Sequence, residues 1–216
     1  LVGSEMCIRD SGHDDHIGAL PYLLSKIDVP VFSSMLTNEL ILSKLKGSGL
    51  LRKARLHVID PYEPFQIGAF SVEFFRVCHS IPDAMGIALR TPFGIVIHTG
   101  DFKIDPSPLV GDEVDENALR RIGDEGVLAM VCDSTNVFES EESGSEGALS
   151  DSLEKIIAGR TGRVAVTTFA SNLARIKTAA SIAVKNDRQP VLVGRSLRRI
   201  LSVAREATYG LSLIHI

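Results

Sequence analysis

The chain has 216 residues, of which 44% are hydrophobic, and its formal net charge is −4. This length and apolar content suffice to bury a core, while no apolar run approaches the roughly 18 to 20 residues that a membrane-spanning helix needs. The net acidic charge gives no support for nucleic-acid binding by the chain as a whole, although a local basic groove would suffice for it. The three cysteines form no paired spacing, which favours a reducing compartment, the cytoplasm, over a disulfide scaffold.

The two ends of the chain differ from the sequence between them. Residues 1–10 show neither helical nor strand periodicity, and residues 211–216 end the chain equally abruptly. Both resemble peptides produced when sequencing-adapter DNA is translated at the edge of a short read. We therefore expect a gene fragment with a non-native leader at 1–10 and a non-native tail at 211–216. Native coding sequence running continuously across both seams would contradict this expectation.

Between these ends, helices and strands alternate. The pattern predicts a helix over Ile17–Lys26 and a second helix over Thr37–Lys46, which Gly47 ends. Strands are predicted over Val29–Phe32, Leu56–Ile59, Phe70–Phe75, Met85–Arg90, Gly94–His98 and Val127–Cys132. A turn between Arg90 and Gly94 joins two of them as a hairpin. Three strands are followed by polar sequences, so we expect these sequences to meet along one edge of a sheet.

The last third of the chain has a different pattern. The acidic stretch Glu139–Gly147 predicts a loop or linker, and Asp151 with Glu154 resembles a capping box at a helix start. Strands over Arg163–Thr168 and Val191–Val193 are predicted to alternate with helices that begin at Ser171 and Ser196. This order indicates a parallel α/β unit. The fold class is therefore α/β, with one domain at 11–149 and a partial second domain at 150–210.

Charged residues also form local groups. Basic residues are grouped at 52–55 and at Arg195, Arg198, Arg199 and Arg205, and acidic residues at 112–116 and 139–146. A solvated face is the ordinary explanation for such groups, and a binding surface is the alternative.

One short stretch carries an unusual density of metal-binding side chains. Residues 11–16, Ser-Gly-His-Asp-Asp-His, place two imidazoles and two carboxylates within four positions, directly before an apolar stretch. Metal coordination is the commonest physical reason for such clustering, and a solvated polar turn is the alternative. A tight turn can direct His13, Asp15 and His16 to one point, while Gly18 lets the following helix pack closely.

Four motifs occur in a fixed order and resemble one known family. They are GHDDHIGALP at 12–21, HSIPDA at 79–84, HTGDFK at 98–103 and DSTN at 133–136. Together they resemble the ribonuclease J family, in the β-CASP branch of the metallo-β-lactamase superfamily. TFASN at 168–172 and GRS at 194–196 are similar to that family's β-CASP domain. The resemblance, from about residue 12 to about residue 205, implies part of an αβ/βα sandwich followed by the start of a parallel-sheet β-CASP domain.

The resemblance also implies a set of metal ligands for two zinc ions, with manganese as an alternative. The implied ligands are His13, Asp15, His16, His79 and Asp101. Asp101 would bridge the ions and Asp15 would also orient the attacking water, so these two are the candidate catalytic residues. Ser11 stands where the family has its first histidine. We expect the native residue there to be His, and we expect the change Ser11→His alone not to give activity.

Four further residues are candidates for substrate binding or for supporting the ligands. They are His98, Ser80, Asp133 and Ser134. For His98 a buried structural role is the alternative, and for Asp133 the alternative is capping of a helix or loop. Asp14 is expected to be a solvated neighbour of the cluster, and His57 an ordinary strand residue.

The function implied by the resemblance is that of a cytoplasmic zinc-dependent ribonuclease. It would act as a 5′ to 3′ exonuclease with endonuclease activity in RNA processing, including rRNA processing, and in RNA decay, as a homo-oligomer (dimer or tetramer) without a membrane partner. The chain itself is expected to be an incomplete and inactive fragment. One alternative is a small-molecule hydrolase of the same fold, which would lack the Asp133 motif and the second domain. The other is a non-catalytic metal-binding or RNA-binding remnant.

Overall fold

The structure is a computed structural model that describes residues 6–141 and 144–206. The strands within these ranges are β1 (Cys7–Arg9), β2 (Val31–Ser33), β3 (Leu56–Val58), β4 (Phe65–Ile67), β5 (Phe70–Arg76), β6 (Met85–Thr91), β7 (Gly94–His98) and β8 (Val127–Val131). The helices are α1 (Asp14–Ile17), α2 (Leu20–Leu24), α3 (Met35–Lys46), α4 (Glu116–Glu125), α5 (Glu146–Ala158), α6 (Leu173–Lys185) and α7 (Arg195–Glu206). The predicted α/β class is confirmed.

The strands form two sheets. The smaller sheet has the order β1-β2-β3 and is parallel throughout. The larger sheet has the order β4-β5-β6-β7-β8, antiparallel from β4 to β7 and parallel between β7 and β8. Helix α4 makes the crossover that a parallel pair requires. The side chain of Asp115 caps α4 by accepting a hydrogen bond from the backbone N–H of Ala118.

Three apolar clusters hold the sheets and helices together. One lies between the two sheets and includes Ile8, Val72 and Phe74. A second, on the opposite face of the larger sheet, includes Phe75 and reaches Ile122 of α4. Strand β5 is therefore buried on both faces, although its alternating sequence predicted only that it is a strand. The third cluster surrounds α3 and includes apolar residues of α6 and α7.

An ion-pair network around the buried carboxylate of Glu73 joins the larger sheet to α4. The Glu73 carboxylate, almost fully buried, accepts a hydrogen bond from Nη1 of Arg90 at 2.6 Å and another from Arg121. Arg90 also pairs with Glu125 through two bonds of 2.8 and 2.9 Å. Because unpaired buried charges are costly, each member of this network stabilises the others in place.

The beginning of the chain departs from the prediction in two places. Residues Cys7–Arg9 form a buried strand, where no strand periodicity was evident, because a three-residue strand covered on both faces is too short to show alternation. The helix predicted over 17–26 is shorter and spans Leu20–Leu24, while a separate helix, α1, ends at Ile17. Pro21 falls in the first turn of α2, a position that favours a new helix start.

The last third of the chain departs further from the predicted secondary structure. Segments 163–168 and 191–193 form no strands within the described residues, and the side chains of Val191 and Val193 are exposed. An apolar run predicts burial, but a strand also needs a hydrogen-bonded neighbour, and the described residues offer these segments none. Helix α5 begins after Ser145, whose hydroxyl accepts from the N–H of Gly147, so the capping box predicted at Asp151 lies inside the helix.

Two smaller corrections concern helix starts in this region. Asn172, and not Ser171, caps α6, because its side chain accepts a hydrogen bond from the N–H of Arg175. Helix α7 begins one residue earlier than Ser196. In the part of the chain that the structure describes, no helix is both long and apolar enough to cross a membrane.

Candidate metal centre

The candidate ligands lie where strands end and where α1 begins. His13 is the residue before α1, and Asp15 and His16 belong to that helix. His79 follows β5 and Asp101 follows β7, each three residues after its strand ends. Because β5 and β7 run in the same direction in one sheet, their ends bring residues distant in sequence to the same edge.

Three of the five predicted ligands form a compact group. One ligand atom from each of Asp15, His16 and Asp101 lies within 4.8 Å of the others. Nε2 of His16 is 3.3 Å from Oδ2 of Asp101 and 3.6 Å from Oδ2 of Asp15. Nε2 of His79 lies 3.8 Å from the same Asp101 oxygen. The Asp101 carboxylate is thus placed between two imidazoles that come from different elements.

His13 adjoins this group through His79. The two rings meet edge to face, with centroids 4.7 Å apart. Nδ1 of His13 is hydrogen-bonded to the Ser171 hydroxyl at 2.6 Å, and Nε2 to the Ser80 hydroxyl at 3.0 Å. Burial of the ring lowers the pKa of His13 to about 4, and the neighbouring His79 is the second cause of this shift. His13 is therefore a neutral imidazole at neutral pH, which is the form that binds metals.

The pKa of His16 is shifted in the opposite direction to that of His13. Its Nδ1 donates to the Asp10 carboxylate, with 3.0 Å to each oxygen. This hydrogen bond raises the pKa of His16 to about 9. A carboxylate that holds the second nitrogen of an imidazole is a common partner of metal-binding histidines, because it fixes the ring orientation. The sequence reasoning missed Asp10, which lies in the stretch interpreted as a leader.

Ser11 stands where the resemblance implies a histidine. Its side chain is buried, and its hydroxyl oxygen has no hydrogen-bond partner within the described residues. A buried hydroxyl without a partner costs about 1–3 kcal/mol, so this position is poorly matched to serine. Ser11 also contributes no imidazole to the group.

Two of the residues predicted to bind substrate or to support the ligands, His98 and Asp133, form hydrogen bonds close to the group. Nδ1 of His98 accepts a hydrogen bond from the N–H of Gly100 at 3.0 Å and so stabilises the turn that leads to Asp101. The Asp133 carboxylate accepts from the hydroxyl and the N–H of Thr135 at 2.7 and 2.9 Å. The Thr135 hydroxyl is the main cause that lowers the pKa of Asp133. Asp133 therefore caps a turn, which was the alternative weighed for it.

Three remaining side chains have simpler surroundings. Ser134 is exposed. Asp14 is paired with Lys44 at the surface. The ring of His57 stacks on Phe32, with centroids 4.9 Å apart, as expected of an ordinary strand residue. None of these contacts belongs to the group around Asp101.

An open groove begins at the cluster. It has a volume of about 1080 Å³, and its lining includes His79, Ser80, Asp101, Lys103 and Asp133. The groove continues past the beginning of α5, so it extends well beyond the cluster itself. A groove of this volume is at the upper end of the range for small-molecule sites.

Comparison with known proteins identifies relatives for almost the whole chain. Residues 161–213 match the family model described as ribonuclease J, beta-CASP domain. Ribonuclease J of Sinorhizobium meliloti is 43% identical over 194 residues, which are 90% of this chain and 34% of that protein. Ribonuclease J of Thermus thermophilus is 40% identical over 205 residues, 92% of this chain and 36% of that protein. The resemblance predicted from the motifs is confirmed.

Two further matches complete the comparison. Ribonuclease J2 of Bacillus subtilis is 37% identical over 198 residues, 92% of this chain and 36% of that protein. A crystal structure of a protein of unknown function from Enterococcus faecalis V583 superposes with a TM-score of 0.63 at 17% identity, covering 94% of this chain and 49% of that one. That likeness concerns the fold alone. The chain spans about a third of the length of the curated relatives it matches.

Proposed function

We propose that the protein to which this chain belongs is a ribonuclease J homologue, a metal-dependent ribonuclease that hydrolyses RNA phosphodiesters. It would act as a 5′ to 3′ exonuclease with endonuclease activity in RNA processing and decay, in the cytoplasm and as a homo-oligomer. The β-CASP match over 161–213 favours this function over that of a small-molecule hydrolase, which would not need the second domain.

The observation that carries the proposal is the position of the Asp101 carboxylate. One of its oxygens lies 3.3 Å from His16 and 3.8 Å from His79, with Asp15 beside it. A carboxylate between two imidazoles is suited to bridge two cations, and it is costly to assemble for packing alone.

The donor set fits zinc, and also manganese, because imidazole nitrogen and carboxylate oxygen suit both ions. The metal would be held by Asp15, His16 and Asp101, together with His13 and His79. When bound, the ions supply Lewis acidity and a hydroxide nucleophile at neutral pH. The fit is incomplete at Ser11, whose hydroxyl is a poor replacement for an imidazole. We therefore expect this chain by itself to bind metal weakly near His13 and His79, to retain metal at Asp15, His16 and Asp101, and not to turn over RNA.

The other roles belong to the protein's own side chains. Asp15, which is exposed at the cluster, can accept a hydrogen bond from the attacking water and orient it. Ser80 and Lys103 line the groove next to the cluster and can bind a phosphate. His98 and Asp133 act indirectly by holding the turns that carry Asp101 and Phe102.

The proposal is tested with the protein encoded by the complete reading frame of the gene. Its substrates would be 5′-monophosphorylated RNA, a lactam and a thioester, each with and without zinc or manganese. We expect metal-dependent release of nucleotides from RNA only. Asp101→Asn should abolish it, whereas Asp14→Asn, a carboxylate change in the same turn that avoids the group, should not. Turnover of the lactam or thioester without RNA cleavage would overturn the proposal.

A further inference from the structure

Helix α7 has two contrasting faces. The buried face packs into the cluster around α3 through Ile200, Leu201, Val203 and Ala204. The opposite face exposes Arg195, Arg198 and Arg199, which we call the arginine stripe. Residues three and four positions apart lie on the same side of a helix, so the three guanidinium groups share one surface. Because the buried face is anchored in the core, this surface has a fixed orientation.

The arginine stripe has no anionic partner within the described residues, whereas six of the chain's other arginines pair with carboxylates. Arg76, Arg90 and Arg175, for example, pair with carboxylates at 2.6–3.2 Å. Across residues 6–141 and 144–205, no carboxylate oxygen lies within 4.0 Å of a stripe guanidinium. Unopposed cations are thus concentrated on one helix of a chain whose net charge is −4.

This arrangement destabilises the helix on which it lies. Like charges three or four positions apart cost about 0.2–0.5 kcal/mol per pair. Arg195 and Arg198 also lie in the first turn of α7, where the helix dipole favours anions over cations. An external polyanion would remove both costs, which favours a binding role over that of a solvated face.

We propose that the arginine stripe is an RNA-binding surface that contacts the phosphate backbone of single-stranded RNA. The inference rests on the proposed function, which makes RNA the polyanion that this protein meets. The planar fork of a guanidinium matches two phosphate oxygens, and contacts to the backbone confer affinity without sequence preference. None of the three arginines lines the groove beside Asp101, so the surface is separate from the candidate metal centre.

The test measures binding without cleavage. Fluorescence anisotropy of a labelled 20-nucleotide oligouridylate is recorded with the 216-residue chain in EDTA, at salt concentrations from 50 to 300 mM. Each phosphate contact on a single strand contributes about 0.7 to the slope of log K against log salt. The double variant Arg198→Gln/Arg199→Gln should therefore lower the slope by about 1.4 and the affinity at 0.1 M salt by about 25-fold.

The matched control is Arg52→Gln/Lys53→Gln, which removes the same charge from another exposed segment. It should leave the slope unchanged. Equal losses in both double variants, or an unchanged slope in the stripe variant, would overturn the inference. The single change Arg198→Gln, measured in parallel, should lower the slope by about 0.7 if the double variant does not fold.

Two further comparisons distinguish RNA from an acidic protein as the partner, and this inference from the proposed function. An oligoglutamate peptide should not displace the RNA at equal charge concentration, and displacement would indicate an acidic protein partner instead. Because the assay contains EDTA, its result is independent of metal chemistry. Stripe binding without RNA cleavage by the complete protein would refute only the proposed function, and cleavage without stripe binding would refute only this inference.

Discussion

The packing of the larger sheet makes the change Gly86→Ala destabilising. Gly86 on β6 lies directly opposite Phe75 on β5, and a Cβ at Gly86 would fall 2.1 Å from two carbons of the Phe75 ring. An ordinary carbon–carbon contact is about 3.5 Å or longer, so the ring must move by about 1.4 Å in a core where Phe75 is 2% exposed. We expect a loss of about 1–3 kcal/mol in the free energy of unfolding.

Urea unfolding followed by circular dichroism, in EDTA, measures this loss. The control is Gly123→Ala on α4, where an added Cβ meets nothing within 4 Å and should stabilise the helix by up to about 1 kcal/mol. In a double-mutant cycle, Phe75→Leu should recover part of the loss caused by Gly86→Ala, since the smaller side chain removes the clash. A Gly86→Ala protein as stable as the wild type would refute the packing argument.

Two more predictions concern charge. The pKa of His16 is raised to about 9, so the stabilisation from its bond to Asp10 is complete below pH 6.5 and is lost as the pH rises through 9. The metal-free chain should lose about 3 kcal/mol of unfolding free energy between pH 6.5 and pH 10 in urea titrations, and Asp10→Asn should flatten that dependence. Glu73→Gln should cost about 2 kcal/mol in thermal unfolding, because the partly buried guanidinium of Arg90 loses one of its two carboxylate partners and keeps Glu125. Glu116→Gln, which breaks an exposed pair, should cost under about 0.5 kcal/mol, and equal costs would contradict the role given to burial.

The sequence predicted the parts of the fold that local patterns determine. Strands β5 to β8 and helix α3 lie close to their predicted positions, because alternation and glycine or proline turns mark their ends. Strands at 163–168 and 191–193 were predicted wrongly, since an apolar run does not specify a hydrogen-bonded neighbour. Helix α4 was not predicted, although Asp115 is a recognisable cap at its start.

In the candidate site, too, local sequence patterns predicted some features and could not predict others. Strand ends predicted that the sequences containing His79 and Asp101 would approach residues 13–16, and the structure brings them together. The bond between His13 and Ser171 joins residues 158 positions apart, so no local pattern could indicate it. The sequence suggested a helix cap for Ser171, because a serine before an apolar helix is a cap far more often than a partner of a distant imidazole.

The central claim is that Asp101 and its neighbours form a metal site, and zinc retention tests it most directly. The 216-residue chain, Asp101→Asn and Asp14→Asn would each be loaded with zinc at pH 8, desalted and examined by native mass spectrometry. We predict that the wild type and Asp14→Asn retain zinc and that Asp101→Asn loses it, since only Asp101 lies between His16 and His79. Zinc retained equally by Asp101→Asn, or absent from the wild type, would contradict the claim.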